Sequence, residues 1–315
     1  MRFFLPVLLS VASLQSAAQM KQEELLPYLH GYKTEMSKEY LAALPNGQAG
    51  SKVATLINLR GVDVTMEEAK ANFEKGWLQR SFPSFDLHQK DVLRQDTVLG
   101  LPAWTIRKEL SIKGSVAYQA CYFFAAAGEL VQGFSFTSRL PIDPELATGV
   151  ISLMRSGTIP DSLFSHPDDK VLPFVGRRIE VGNVCQWTGT NTMLCPNNGE
   201  LNWSMHPSRE EAVRFNEAQM AENLDLSMFK DVTATAVNIV FEGKKVEAVR
   251  KNFILKGLKG MLAKRQEGSR DLIVYYVTAP VRGVWVSCVL SHWTSDRVVA
   301  ETGVPPLLNE VMSLK

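Results

Sequence analysis

The chain lacks any surplus of charge, has few cysteines and carries no long apolar span. Its 34 Lys+Arg oppose 33 Asp+Glu. A field that would draw in nucleic acid is therefore absent, and nucleic acid is excluded as a partner. Four cysteines are too few for a disulfide scaffold. No run approaches the roughly 20 apolar residues of a membrane helix. Catalytic signatures are missing as well: there is no Gly-x-Ser-x-Gly, no His-Glu-x-x-His and no EF-hand pattern. The five histidines, His30, His88, His166, His206 and His292, are scattered without ligand spacing. No metal or cofactor is expected.

What is present begins at the N-terminus. Arg2 is followed by the short apolar stretch Phe3 to Leu14, then by the small residues Ser16-Ala17-Ala18. This is the three-part pattern of a cleaved secretory signal over residues 1–18. The expected product is a periplasmic or extracellular soluble protein, and loss of Arg2 with the signal brings its side-chain charge to zero. Asn46-Gly47-Gln48-Ala49-Gly50-Ser51-Lys52 misses the phosphate-loop spacing and reads as a turn.

The rest reads as an α+β protein of antiparallel sheets with helices packed on them, in two similar halves. Thr65-Met66-Glu67-Glu68 and Ser208-Arg209-Glu210-Glu211 each fit a capping box and predict helices. In the first, Met66, Ala69, Phe73 and Trp77 would share a face. Alternation predicts strands from Trp104 to Ile112, Val116 to Ala126 and Leu130 to Ser138. Asp143-Pro144 opens a helix that Gly157 ends. The second set of strands is expected at 232–241, 246–255, 272–278 and 284–291, with a terminal helix from Pro305 or Pro306. Shorter strands are expected near 178–181, 184–188, 192–195 and 201–205, and Asn197-Asn198-Gly199 is a turn signal. Residues 19–158 and 174–315 form the two domains, and the Pro- and Asp-rich 159–173 reads as their linker. Either Leu258-Lys259-Gly260 or Glu242-Gly243-Lys244 would match Leu99-Gly100-Leu101 of the first half.

The turn Leu99-Gly100-Leu101-Pro102-Ala103, leading into the strands through Ser138, resembles the PsbP/Mog1-like fold. The resemblance covers about residues 52–158 well and 200–315 loosely, and it implies a shape. Members of such folds include non-catalytic envelope and accessory proteins.

Several residues invite chemistry. Cys185 and Cys195 flank Thr188-Gly189-Thr190-Asn191. A hairpin centred near Thr190 would bring them together as a disulfide in an oxidising compartment. Cys121 and Cys288 fall in core strands and read as small hydrophobes. Cys288 and His292 share a strand face about 13 Å apart, too far for a nucleophile and its base. Glu67-Glu68 and Glu210-Glu211 are explained as helix-start acids. Lys244, Lys245, Arg250, Lys251, Lys256 and Lys259 form a candidate anion or partner patch, although strand alternation divides them between faces. Trp187, beside the hairpin tip, is a candidate exposed contact. The expectation is thus an exported, non-enzymatic binding or accessory protein for a protein, glycan or small ligand. The alternative is an exported hydrolase with its site in a cleft between the halves.

Overall fold

The structure is a computed structural model that describes residues 20–35, 53–112, 115–166, 169–222 and 229–314. The signal segment 1–18 and the turn at 46–52 lie outside the described residues. The α+β class is as expected: helices lie on large antiparallel sheets.

After a short helix α1 (Gln22–Leu25), the first sheet is built from β1 (Leu29–Glu35), β2 (Val53–Leu59), β3 (Val62–Lys70), β4 (Arg94–Val98), β5 (Leu101–Ile112), β6 (Ser115–Ala125) and β7 (Leu130–Ser138). Helix α2 (Lys75–Ser81) lies between β3 and β4, and α3 (Pro144–Ser156) follows β7. With β8 (Phe164–Ser165), the strand order is β4-β5-β6-β7-β3-β2-β1-β8. One face carries Val64, Tyr122, Phe124, Phe134 and Phe136, and α3 covers it with Ala147, Val150 and Ile151. Asp143 caps α3 as expected, accepting from the Glu145 N–H at 2.9 Å, and Gly157 ends it at φ 64°. The opposite face carries Ile106, Cys121, Phe123 and Val131 and is covered by Leu78, Phe82 and Phe85.

The helix expected at Thr65 is strand β3. Val62, Val64, Glu67 and Ala69 are buried in near alternation, and residues 63–70 pair with Leu130–Thr137. A Ser/Thr-x-x-Glu spacing closes a cap only where the following residues wind into a helix. Here the turn at Arg60-Gly61 folds the segment back on β2 instead. The helix begins ten residues later, at Lys75, and Trp77 is exposed rather than on a buried stripe.

The second sheet contains β11 (Gln186–Gly189), β12 (Thr192–Cys195), β13 (Gly199–His206), β14 (Phe229–Phe241), β15 (Lys244–Leu255), β16 (Asp271–Val281) and β17 (Val284–Trp293). With the short β18 (Met312–Ser313), its order is β11-β12-β13-β17-β16-β15-β14-β18. Helix α4 (Arg209–Glu222) follows β13, and the Glu211 N–H donates to Ser208 Oγ at 3.2 Å, the cap the sequence predicts. Helix α5 (Gly257–Gln266) links β15 to β16 and contains Leu258-Lys259-Gly260. Leu99-Gly100 turns β4 into β5, and Glu242-Gly243 turns β14 into β15. These pairs have φ of 55° and 71° and of 48° and 76°, the left-handed pair that a tight hairpin turn demands. The terminal helix is a single turn, α6 (Pro306–Asn309), burying Leu307 and Leu308, while Met312 lies in β18.

The inner face of this sheet packs Trp203, Tyr275, Val277, Cys288 and Leu290 beneath the hairpin of β9 (Val171–Phe174) and β10 (Arg177–Glu180). Glu242 anchors that hairpin by accepting from Arg177 and Arg282. Around the segment read as a linker, Phe164 and Ser165 pair in parallel with Gly31 and Tyr32, and Val171–Phe174 forms β9. Tyr28 packs against the cores of both halves.

Candidate functional site

A cavity of about 470 Å³ opens at the edge of the first sheet. It exists because β4 is short. Its first residue, Arg94, pairs with Thr105, so among the described residues the β5 edge beyond that point carries no strand from β4. The loop before β4 walls the resulting notch. Lys75 Nζ holds that loop by donating to the backbone oxygens of Gln89 and, at 2.6 Å, Asp91.

Four cations line the cavity, Lys90, Arg94, Arg107 and Lys108, against two carboxylates, Asp91 and Asp96. One pair is spent internally. The buried Asp91 carboxylate accepts from Lys108 Nζ at 2.8 Å and from the His88 N–H at 2.7 Å. Burial works to raise the Asp91 pKa, but these donors outweigh it and hold the group below its ordinary value. Lys108 also donates to the Asp86 oxygen at 2.6 Å, which fixes its position. Arg107 rests over the Tyr122 ring at 6.0 Å and donates to its hydroxyl at 3.4 Å. Lys90, Arg94 and Arg107 are exposed residues. A second cavity of about 340 Å³ shares Arg107 and Lys108. The arrangement suits an anion: a charge-assisted donor set with one rigid, self-neutralised pair at its base. No local motif marks it, because its residues come from a loop, an edge strand and the neighbouring strand.

The residues singled out in the sequence lie elsewhere. Cys185 and Cys195 stand at disulfide distance with Cα atoms 4.1 Å apart, closing the β11–β12 hairpin. Cys121 and Cys288 are free and buried in separate cores, and burial pushes the Cys121 thiol up to about 12. Trp187 is half-buried rather than an exposed contact, and its ring stacks on His30 at 5.5 Å. The basic patch does not gather. Lys244 and Lys245 are exposed at the β14–β15 turn, and Arg250 is half-buried on the sheet face shared with Tyr275. Lys251 is buried on the opposite face, donating to the Met220 oxygen at 3.2 Å above the Tyr276 ring, and burial lowers its pKa. Lys256 and Lys259 belong to the start of α5.

One constellation was invisible in the sequence. His30 Nδ1 meets Asn191 Oδ1 at 2.7 Å, and His30 Nε2 meets Ser165 Oγ at 3.1 Å. Asn191 Nδ2 donates to the Trp203 oxygen at 2.9 Å, which turns Oδ1 toward the imidazole. The hydroxyl, imidazole and amide are thus in the order of nucleophile, base and orienting group. His30, Ser165 and Asn191 are only 4%, 3% and 3% exposed, so no substrate reaches Ser165 Oγ in this conformation.

No known protein family matches the chain, and no curated protein does. Among solved structures, DynU16, a protein in the dynemicin biosynthetic locus, aligns at 9% identity over 87% of this chain and 90% of its own, with a TM-score of 0.18. The di-domain ARO/CYC StfQ from the steffimycin biosynthetic pathway aligns at 6% identity over 92% of this chain and 76% of its own, with a TM-score of 0.16. Likenesses this slight carry neither a fold nor a function to the chain.

Proposed function

We propose that this is an exported, non-enzymatic binding protein whose ligand is a small polyanion, such as a phosphorylated or sulfated sugar. The single observation that carries the reading is the cleft of about 470 Å³, lined by Lys90, Arg94 and Arg107 together with Asp96 and the paired Lys108 and Asp91. Its volume is in the range of small-molecule sites. Titration calorimetry with glucose 6-phosphate and with a sulfated disaccharide tests it. Replacing Arg94 and Arg107 by Glu should weaken binding at least ten-fold, the value of a charge-assisted hydrogen bond. An affinity unchanged by that double substitution overturns the reading.

Export belongs to the same proposal. The Cys185–Cys195 pair suits an oxidising compartment, and among the described residues no helix is long and apolar enough to cross a membrane. We also read the two halves as related units of the PsbP/Mog1-like kind. What supports this is their strand order. β1-β2-β3-β7-β6-β5-β4 in one corresponds to β11-β12-β13-β17-β16-β15-β14 in the other, each with a helix after its third strand.

The hydrolase alternative has one observation in its favour, the Ser165–His30–Asn191 alignment between the halves. It requires the halves to part. A fluorophosphonate probe that labels the native protein, and fails on Ser165→Ala, would favour it over the binding reading.

A further inference from the structure

Helix α5 turns its apolar residues the wrong way for a core helix. Leu258, Met261 and Leu262 are 67%, 54% and 47% exposed, while Gly260 and Ala263 are buried. Spacings of three and four place the three large side chains on one face, directed away from the protein. Gly260 explains the close seating of the other face, since a Cβ there would collide with the backbone of Leu255.

The charge around this face has one sign. From Ala248 to Gln266 the chain contains six Lys and Arg and no Asp or Glu. Lys256, Lys259, Lys264 and Arg265 are all exposed. On the helical wheel Lys259 and Lys264 flank the apolar stripe on opposite sides. Arg265 continues it one turn along, where its long stem can lie on apolar surface and its head group reach outward. The exposed face therefore offers an apolar stripe and, beside it, cations, the two chemistries that an acidic bilayer surface takes up. An apolar protein partner would bury the heads of Lys264 and Arg265 without acidic groups to meet them, and a polar anionic partner would leave the apolar stripe unmatched. A bilayer with acidic headgroups matches both.

We propose that α5 docks the protein on an anionic phospholipid surface, with Leu258, Met261 and Leu262 inserted at the headgroup boundary. This goes beyond the ligand cleft, which lies on the other sheet, and does not depend on it.

The test uses the full chain and vesicles of phosphatidylcholine, alone or mixed with phosphatidylglycerol. Flotation should recover the protein with the mixed vesicles and not with the neutral ones, and recovery should fall with added salt. Each of Lys256→Glu, Lys264→Glu and Arg265→Glu should lower the partition coefficient about five-fold or more. Combined Leu258→Ser, Met261→Ser and Leu262→Ser should abolish docking while leaving the circular dichroism spectrum and Tm unchanged. A second measurement reads the helix directly and is independent of the N-terminal apolar segment. Met261→Cys labelled with an environment-sensitive dye should shift its emission to the blue on the mixed vesicles only, and the buried Cys121 and Cys288 will not compete for label. No blue shift, or docking that survives the triple Ser substitution, overturns the proposal. So does a dimer by size exclusion that the triple substitution dissociates, with no lipid docking by the parent chain.

Discussion

Asn191 Oδ1 accepts the Nδ1 proton of His30 at 2.7 Å, joining two buried side chains 161 positions apart in the chain. The bond places a proton on Nδ1, and in the neutral ring Nε2 then accepts from Ser165 Oγ. Desolvation dominates this site and lowers the His30 pKa despite the hydrogen bonds that His30 makes to Asn191 and to the Thr190 backbone. His292 is lowered for the same reason.

The consequence is a stability that falls in mild acid. With the folded value below the unfolded one of about 6.5, the unfolded chain binds the proton more readily. The contribution is therefore complete above about pH 6.5 and is lost as pH falls from there toward the folded value. Thermal melts from pH 8 to pH 5 should show a steeper decline for the parent than for His30→Gln. At pH 8 the variant itself should be about 1–3 kcal/mol less stable, the cost of disturbing a buried hydrogen-bonded group. Parallel pH dependences would exclude His30 as the titrating group.

Gly61 and Gly100 offer a matched pair. Their φ angles are 76° and 71°, so Ala at either position incurs the same left-handed strain, about 1–2 kcal/mol. A Cβ at Gly100 meets open space, whereas one at Gly61 runs into the Phe215 ring of the other half. Denaturant unfolding should therefore cost Gly61→Ala about 1–3 kcal/mol more than Gly100→Ala. Phe215→Leu in the Gly61→Ala background should recover part of that difference. Equal losses would mean that the Gly61–Phe215 contact contributes nothing to holding the halves together.

The strands and caps could be read along the chain because they are local. Leu130–Ser138 alternates, Asp143-Pro144 starts a helix, and Glu242-Gly243 turns a hairpin, each within a few residues. The failure at Thr65 shows the limit of that locality. Thr65-x-x-Glu68 and Ser208-x-x-Glu211 are the same pattern, and pairing of β3 with β2 and β7 decides that the first is strand. The candidate cleft was illegible for a related reason. Arg94 and Arg107 are ordinary surface cations until β4 ends early beside β5. The basic run at 244–259 stood out because it is contiguous, and its strand then sent Arg250 and Lys251 to opposite faces.

The Cys185–Cys195 bridge closes a ring with a sequence separation of 10. Chain-entropy reasoning assigns such a ring about 2.5–3 kcal/mol. The hairpin it closes carries both Trp187 and Asn191, the residues that hold His30. The paired substitution Cys185→Ser and Cys195→Ser should lower stability by about that amount in urea. Intact mass should increase by two hydrogens when the parent is reduced under denaturing conditions. A mass that does not change would remove the bridge.

Glu67 should behave oppositely to His30. It lies 1% exposed on β3, and the Ser84 hydroxyl donates to its Oε1. Oε2 is buried with no hydrogen-bond partner among the described residues. Burial raises its pKa, outweighing the Ser84 bond. An acid raised on folding stabilises the protein below its unfolded value, about 4.3, and that contribution is lost as pH rises through the folded value. Glu67→Gln replaces the carboxyl group by an amide of the same shape, which carries no charge to desolvate. Equilibrium unfolding at pH 8 should find the variant as stable as the parent, or about 1–2 kcal/mol more so. The difference should swing toward the parent as pH falls to 5, against the direction set by His30. A variant that is strongly destabilised at pH 8 would mean that the ionised carboxylate has a partner the buried strand face does not display, and the assignment of burial as the dominant influence on Glu67 would fall.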